Sequence, residues 1–128
     1  MVKEIIQKGF IRLTPQKTVG FSLKEMETRK KSVAVVVDEN DYLLGIVVKA
    51  DLFRFLREPG HYEDYPVELA MTKSVITVKP DDDILKAAKM LRENNISAIP
   101  VIDDENKVVG IIGLEDIVDY CIQKNSLT

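Results

Sequence analysis

The 128-residue chain has no tryptophan, one cysteine, one histidine and only 6% aromatic residues. Each scarcity excludes something. A single cysteine, Cys121, cannot close an internal disulfide, which points to a reducing compartment rather than a stapled secreted domain. With His61 as its only histidine, the chain cannot assemble a zinc site of His and Cys ligands. No apolar run approaches the roughly 20 residues needed to cross a bilayer. The opening stretch Met1 to Ile6 is too short and too charged for a secretory leader. A net positive charge is also lacking: 18 Lys and Arg against 21 Asp and Glu give a net charge of −3 and a pI of about 5.2, which argue against a broad basic face for nucleic acid or anionic lipid. A cytoplasmic protein with no nucleic-acid or membrane partner is expected. At 45% hydrophobic the chain is too apolar for disorder. Its length suits one compact domain, or two small ones sharing a core.

What the chain does contain is a second copy of itself. Displaced by 65 positions without a gap, Val2 meets Val67, Lys8 meets Lys73, Ile11 meets Ile76 and Pro15 meets Pro80. Further along, Ser32 meets Ser97, Val36 meets Val101, Asp38 meets Asp103, Gly45-Ile46 meets Gly110-Ile111, and Asp51 meets Asp116. An ungapped series of this length is a tandem duplication, with repeats at 1–63 and 66–128 and a proline-bounded linker from Pro59 to Pro66.

Both copies carry one pattern. A short alternating strand (Phe10–Leu13, Val75–Val78) ends at a proline and is followed by a helix with apolar residues at helical spacing. Asp81 to Asp83 supply a cap for the second of these helices, and Asn94-Asn95 a stop. Two β-branched runs follow, separated by the acidic turns 38–41 and 103–106, and a final helix closes each copy. The order β-α-β-β-α, twice, predicts an α+β fold. Three strands are too few to stand alone, so the repeats are expected to pack sheet to sheet with pseudo-twofold symmetry. The acidic turn at Asp38 is not a calcium loop: the sixth and twelfth positions, Leu43 and Lys49, are not the Gly and Glu required. No metal site is expected.

The stretch Ile76-Thr77-Val78-Lys79-Pro80, then Ile84, Ala88 and Leu91, then Ile96 to Asp103, Val109 to Ile112 and Asp116-Ile117 resembles a CBS (cystathionine β-synthase) domain. By the repeat, the first copy resembles a second, more diverged one. The resemblance implies a Bateman module: a regulatory pair, commonly a homodimer, that binds AMP, ADP, ATP, S-adenosylmethionine or a cyclic dinucleotide in clefts between its repeats. It passes occupancy to an effector protein, which the sequence does not name. It further implies that adenine packs near the start of the middle strand, at Ser32-Val33-Ala34 and Ser97-Ala98-Ile99-Pro100. An aspartate in a Gly-x-x-Thr/Ser-x-x-Asp element grips the ribose. Those aspartates are Asp51 and Asp116. A carboxylate suits a diol because it accepts two hydrogen bonds, and a helix start suits anions.

Several positions depart from the family pattern. Val48 and Gly113 stand where the family has Thr or Ser, so the hydroxyl that helps hold sugar or phosphate is missing from both copies. Lys31, aligned with Ile96, and Arg12, aligned with Thr77, are candidate phosphate contacts for one cleft. Each aspartate also has a purely structural reading as a first-turn cap. An alternative to the sensor is therefore a dimerisation or partner-docking module with degenerate clefts. The chain shows no nucleophile–base pair, metal set or phosphate loop of the kind an enzyme would need.

Overall fold

The computed structural model describes residues 1–126; positions 127 and 128, which close the second repeat as bounded above, lie outside the described residues. The first repeat holds β1 (Ile11–Leu13), α1 (Val19–Arg29), β2 (Val33–Val37), β3 (Leu43–Val48) and α2 (Lys49–Arg57). The second holds α3 (Ile84–Glu93), β4 (Ala98–Ile102), β5 (Val108–Gly113) and α4 (Leu114–Ser126). The architecture is α+β, with one small sheet per repeat.

Local chemistry places these elements alike in both copies. Thr18 Oγ1 accepts the Phe21 N–H at 3.0 Å and Asp83 Oδ1 accepts that of Leu85 at 3.1 Å, so α1 and α3 begin with side-chain caps. Both helices end alike: Lys30 and Asn95 take left-handed backbone (φ 55 and 52), and the next N–H returns to the carbonyl of Met26 or Leu91. In the acidic turns Asp38 Oδ1 accepts the N–H groups of Asn40 and Tyr42, and Asp103 Oδ1 those of Glu105 and Lys107. These carboxylates are turn-formers.

The two sheets are not equal. The first has three strands in the order β1-β2-β3, with β1 parallel to β2 and β2 antiparallel to β3. In the second, β4 and β5 pair alone, and the strand expected at Val75–Val78 shrinks to one parallel bridge between Val78 and Val101. Proline chemistry explains the loss. Val78 donates to the Pro100 carbonyl at 3.2 Å and accepts from Ile102 at 2.9 Å. Carrying that ladder back to Ile76 and Thr77 would require an N–H at residue 100, and proline has none. The equivalent residue in the first copy, Val35, keeps its N–H and faces Arg12 of β1.

The compact units are offset from the sequence repeats. One comprises Phe10–Val75; the other joins Met1–Gly9 to the chain from Ile76 onward. The segment before each first strand thus packs on the other copy's hairpin. Gln7 and Ile111 exchange backbone hydrogen bonds at 2.8 and 3.1 Å, and Thr72 and Ile46 do so at 2.8 and 3.0 Å. Gly110 and Gly45 permit the approach. A Cβ on Gly110 would stand 3.0 Å from the Gln7 carbonyl, and one on Gly45 would stand 2.9 Å from that of Thr72. Each unit closes its own core, around Ile11, Leu13, Val19, Met26, Val36, Val47, Leu52 and Val67 in one, and around Val2, Val78, Ala87, Leu91, Ile99, Val101 and Ile112 in the other.

The expected linker is ordered against the first unit. Val19 and Gly20 donate to the carbonyls of Tyr65 and Glu63, at 2.8 and 2.9 Å. The His61 ring stacks on Phe55 (centroids 4.0 Å apart) with Nδ1 2.9 Å from the Phe55 carbonyl oxygen. Cys121 is exposed on α4.

Candidate functional site

Each hairpin runs into its last helix without an intervening loop, and this junction assembles the predicted residues. In the first unit Val33 lies opposite Val48, Ala34 opposite Val47, and the Lys49 N–H donates to the Ser32 carbonyl at 2.8 Å. Helix α2 starts at Lys49 with no side-chain cap from Val48, leaving N–H groups at its first turn. Asp51 lies in that turn, half-buried, paired with the exposed Arg54 one turn on. The same junction in the second unit sets Ala98 opposite Gly113, with the Leu114 N–H donating to the Ser97 carbonyl at 3.1 Å. Ile99 and Pro100 continue inward along β4 and are buried.

Asp116 differs from Asp51 in its partners. Its Oδ2 accepts the Gly113 N–H at 2.7 Å, a carboxylate reaching back over the start of its own helix as in a capping box. The Gln7 Nε2 donates to Oδ2 at 2.8 Å and lies 3.0 Å from Oδ1, and it is 3.2 Å from Glu115 Oε1. Hydrogen bonds to an ionised acceptor are the stronger class. Gln7 was not among the predicted site residues; in the 65-residue alignment its counterpart is Thr72, so no sequence coincidence marks it.

The remaining predicted residues lie apart from these junctions or contribute backbone to them. Arg12 pairs with Asp41 (Nε to Oδ1 3.2 Å), and its guanidinium lies over the Phe10 ring, 4.3 Å from the centroid. Asp41 belongs to the β2–β3 turn, the opposite end of the hairpin from Asp51. The Lys31 N–H closes the end of α1 on the Met26 carbonyl at 2.9 Å. Thr77 is half-buried beside the bridging Val78.

At the turn end of the β4–β5 hairpin, Lys79 and Asp104 bond at 2.7 Å, which raises the lysine's pKa and lowers the aspartate's. Nearby, the Lys79 N–H at 2.8 Å, and then Lys86, hold the Asp82 carboxyl below the usual range. Among the described residues no group of three or more His, Cys, Asp or Glu is placed to hold a metal ion. No helix among them is long and apolar enough to cross a membrane.

These features define a class of protein: two small α+β repeats, each running a hairpin into a helix whose first turn carries an aspartate. The CBS domain family matches residues 2–58 and 64–123, and the chain belongs to that family as a tandem pair. It is 34% identical over 115 residues to the inosine-5′-monophosphate dehydrogenase of Methanocaldococcus jannaschii, covering 90% of this chain and 22% of that enzyme. It is 32% identical over 119 residues to the homoserine O-acetyltransferase of Methanococcus vannielii, covering 93% of this chain and 24% of that enzyme. The chain thus spans less than a quarter of either relative. Among solved structures, the CBS domain pair of protein MJ0100 in complex with 5′-methylthioadenosine and S-adenosyl-L-methionine is similar, with a TM-score of 0.87, 30% identity and 97% of each chain covered. CBSX2 in complex with AMP has the same fold, with a TM-score of 0.88, 23% identity and 97% of each chain covered.

Proposed function

We propose that this CBS pair is a non-catalytic sensor of adenosine-containing ligands whose ribose is held by an aspartate at the hairpin–helix junction. The observation that carries the reading is the placement of Asp51 and Asp116. Each is half-buried in the first turn of a helix, beside apolar strand residues (Val33, Val48; Ala98) and a serine backbone. A carboxylate there accepts both hydroxyls of a diol, the apolar residues suit an adenine face, and the uncapped start of α2 favours an anionic group. The similarity to a pair that binds 5′-methylthioadenosine and S-adenosylmethionine supports this ligand class. Val48 and Gly113 offer no hydroxyl, and Arg12 on β1 is engaged with Asp41 at the turn end of the β2–β3 hairpin, so an adenosine, thioether or monophosphate ligand suits the junction better than a polyphosphate.

Occupancy would act on a partner only through unequal affinity for two arrangements of the pair. The natural partners are enzymes of the kind that carry CBS pairs within their own chains. Homodimerisation would cover the exposed Phe53, Val118 and Ile122. Thermal unfolding with 5′-methylthioadenosine, S-adenosylmethionine, AMP, ATP and cyclic di-AMP tests the reading. A true ligand at 100-fold its Kd adds about 2.7 kcal/mol, and no shift with any of them sinks the proposal.

The hold of Gln7 on Asp116 favours a second reading, a partner-docking module with disused sites. It predicts a melting temperature indifferent to every nucleotide together with a stable dimer by light scattering.

A further inference from the structure

We infer that Gln7 decides which copy takes the ribose: it reserves the Asp116 carboxylate for the N-terminal segment and leaves Asp51 as the diol acceptor. This rests on the sensing reading above and adds to it an address and a cause. Gln7 is anchored through both of its backbone groups to Ile111, at 2.8 and 3.1 Å, so its side chain starts from a fixed point. From there the amide reaches both Asp116 oxygens, at 2.8 and 3.0 Å, while the Gly113 N–H takes Oδ2 at 2.7 Å. A carboxylate has about four lone-pair positions. A diol arriving at Asp116 must displace a donor whose backbone cannot follow it into solvent.

The first copy has the same segment in the same register without the latch. Thr72 stands where Gln7 stands, joined to Ile46 by the equivalent pair of backbone bonds at 2.8 and 3.0 Å. Its side chain is shorter, and among the described residues no hydrogen bond joins it to Asp51. Asp51 is paired instead with Arg54, whose side chain is 63% exposed. An exposed cation on a flexible stem yields to a ligand at little cost. Among the described residues the Gly113 N–H donates to Asp116, whereas no hydrogen bond joins the Val48 N–H to Asp51.

Calorimetric titration of the whole chain with 5′-methylthioadenosine tests the assignment. Wild type should bind at one site per chain, and Asp51→Asn should weaken it by about tenfold or more, the loss of hydrogen bonds to a charged group. Gln7→Leu should open a second site, which the double variant Gln7→Leu/Asp116→Asn closes again. Thr72→Gln, at an exposed position, should rebuild the latch on the first copy and weaken the wild-type site; it carries the test alone should Gln7→Leu not fold. One Asp51-dependent site unaltered by both Gln7→Leu and Thr72→Gln overturns the role of Gln7, as does wild-type binding that survives Asp51→Asn. No heat in any variant, with 5′-methylthioadenosine or with the four other ligands named above, overturns the sensing reading, and this inference with it.

Discussion

The two repeats descend from one sequence and have reached the same hairpin, the same helix ends and the same turn carboxylates, yet three of the paired positions at which they differ set their sheets and junctions apart. Val35 against Pro100 decides whether a sheet has three strands or two. Val48 against Gly113 and Thr72 against Gln7 decide how the junction aspartate is held. Shared core positions keep the architecture common, but the divergence is not confined to the surface: Val35, Pro100 and Gly113 are buried, Val48 and Gln7 are partly so, and Thr72 is exposed. A duplicated fold can keep one scaffold while giving its two sites different chemistry.

The largest test of the shared scaffold is truncation at matched core positions. Met26 and Leu91 are 65 residues apart and both wholly buried. Met26→Ala and Leu91→Ala should each cost about 2–5 kcal/mol in chemical denaturation. A cost near zero in one copy would show that its core is not formed as described.

Next is the sheet. Val35→Pro should convert the first sheet toward the second, costing about 1–3 kcal/mol for the acceptor left unpaired, with faster amide exchange over β1. Pro100→Val should move stability by no more than about 1 kcal/mol, because the new hydrogen bond is offset by a freer unfolded chain. Its signature is a newly protected amide at residue 100. An unprotected amide there would mean that proline is not what shortens the strand.

A smaller contrast separates the aspartates in the absence of ligand. Asp116→Ala removes a cap and the partner of Gln7 and should cost about 0.5–2 kcal/mol. Asp51→Ala loses one exposed pair and should change stability by no more than about 0.5 kcal/mol. Equal costs would erase the asymmetry.

The smallest effect is on pH. Asp82 has no acidic counterpart in the first copy, where Lys17 stands. Its carboxyl pKa is depressed, chiefly by the Lys79 N–H. A depressed folded-state pKa means that its contribution is complete above about pH 4 and fades as pH falls through the lower folded value. Melting temperatures of wild type and Asp82→Asn should therefore differ at neutral pH and converge on acidification. A constant difference would remove the charge from the explanation.

Much of this was legible in the chain. Asn94-Asn95 marks the end of one helix and the 65-residue offset pairs the turn aspartates Asp38 and Asp103, because those depend on neighbours a few positions away; the left-handed Lys30 at the matching helix end carries no such mark. At Val75–Val78 the alternation predicts a full strand, where the structure has only the bridge at Val78. The alternation was correct, but the segment's partner, Pro100, lies far along the sequence and could not donate. Pro100 was visible, and its meaning for the sheet was not. The exchange of Met1–Gly9 and the segment around Thr72 between hairpins escaped the repeat boundaries, since sequence similarity marks ancestry rather than contact. Gln7 escaped for the same reason.

The sequence by itself determined the duplication, the order of elements, the local turns and caps, and the aspartate in each last helix. These follow from short-range periodicity and backbone preference, which a chain carries wherever it goes. Only the tertiary structure decided which strand found a partner and which aspartate was already occupied. Both depend on hydrogen bonds between groups that chain distance separates, and a donor's presence in the sequence does not say which acceptor it will meet.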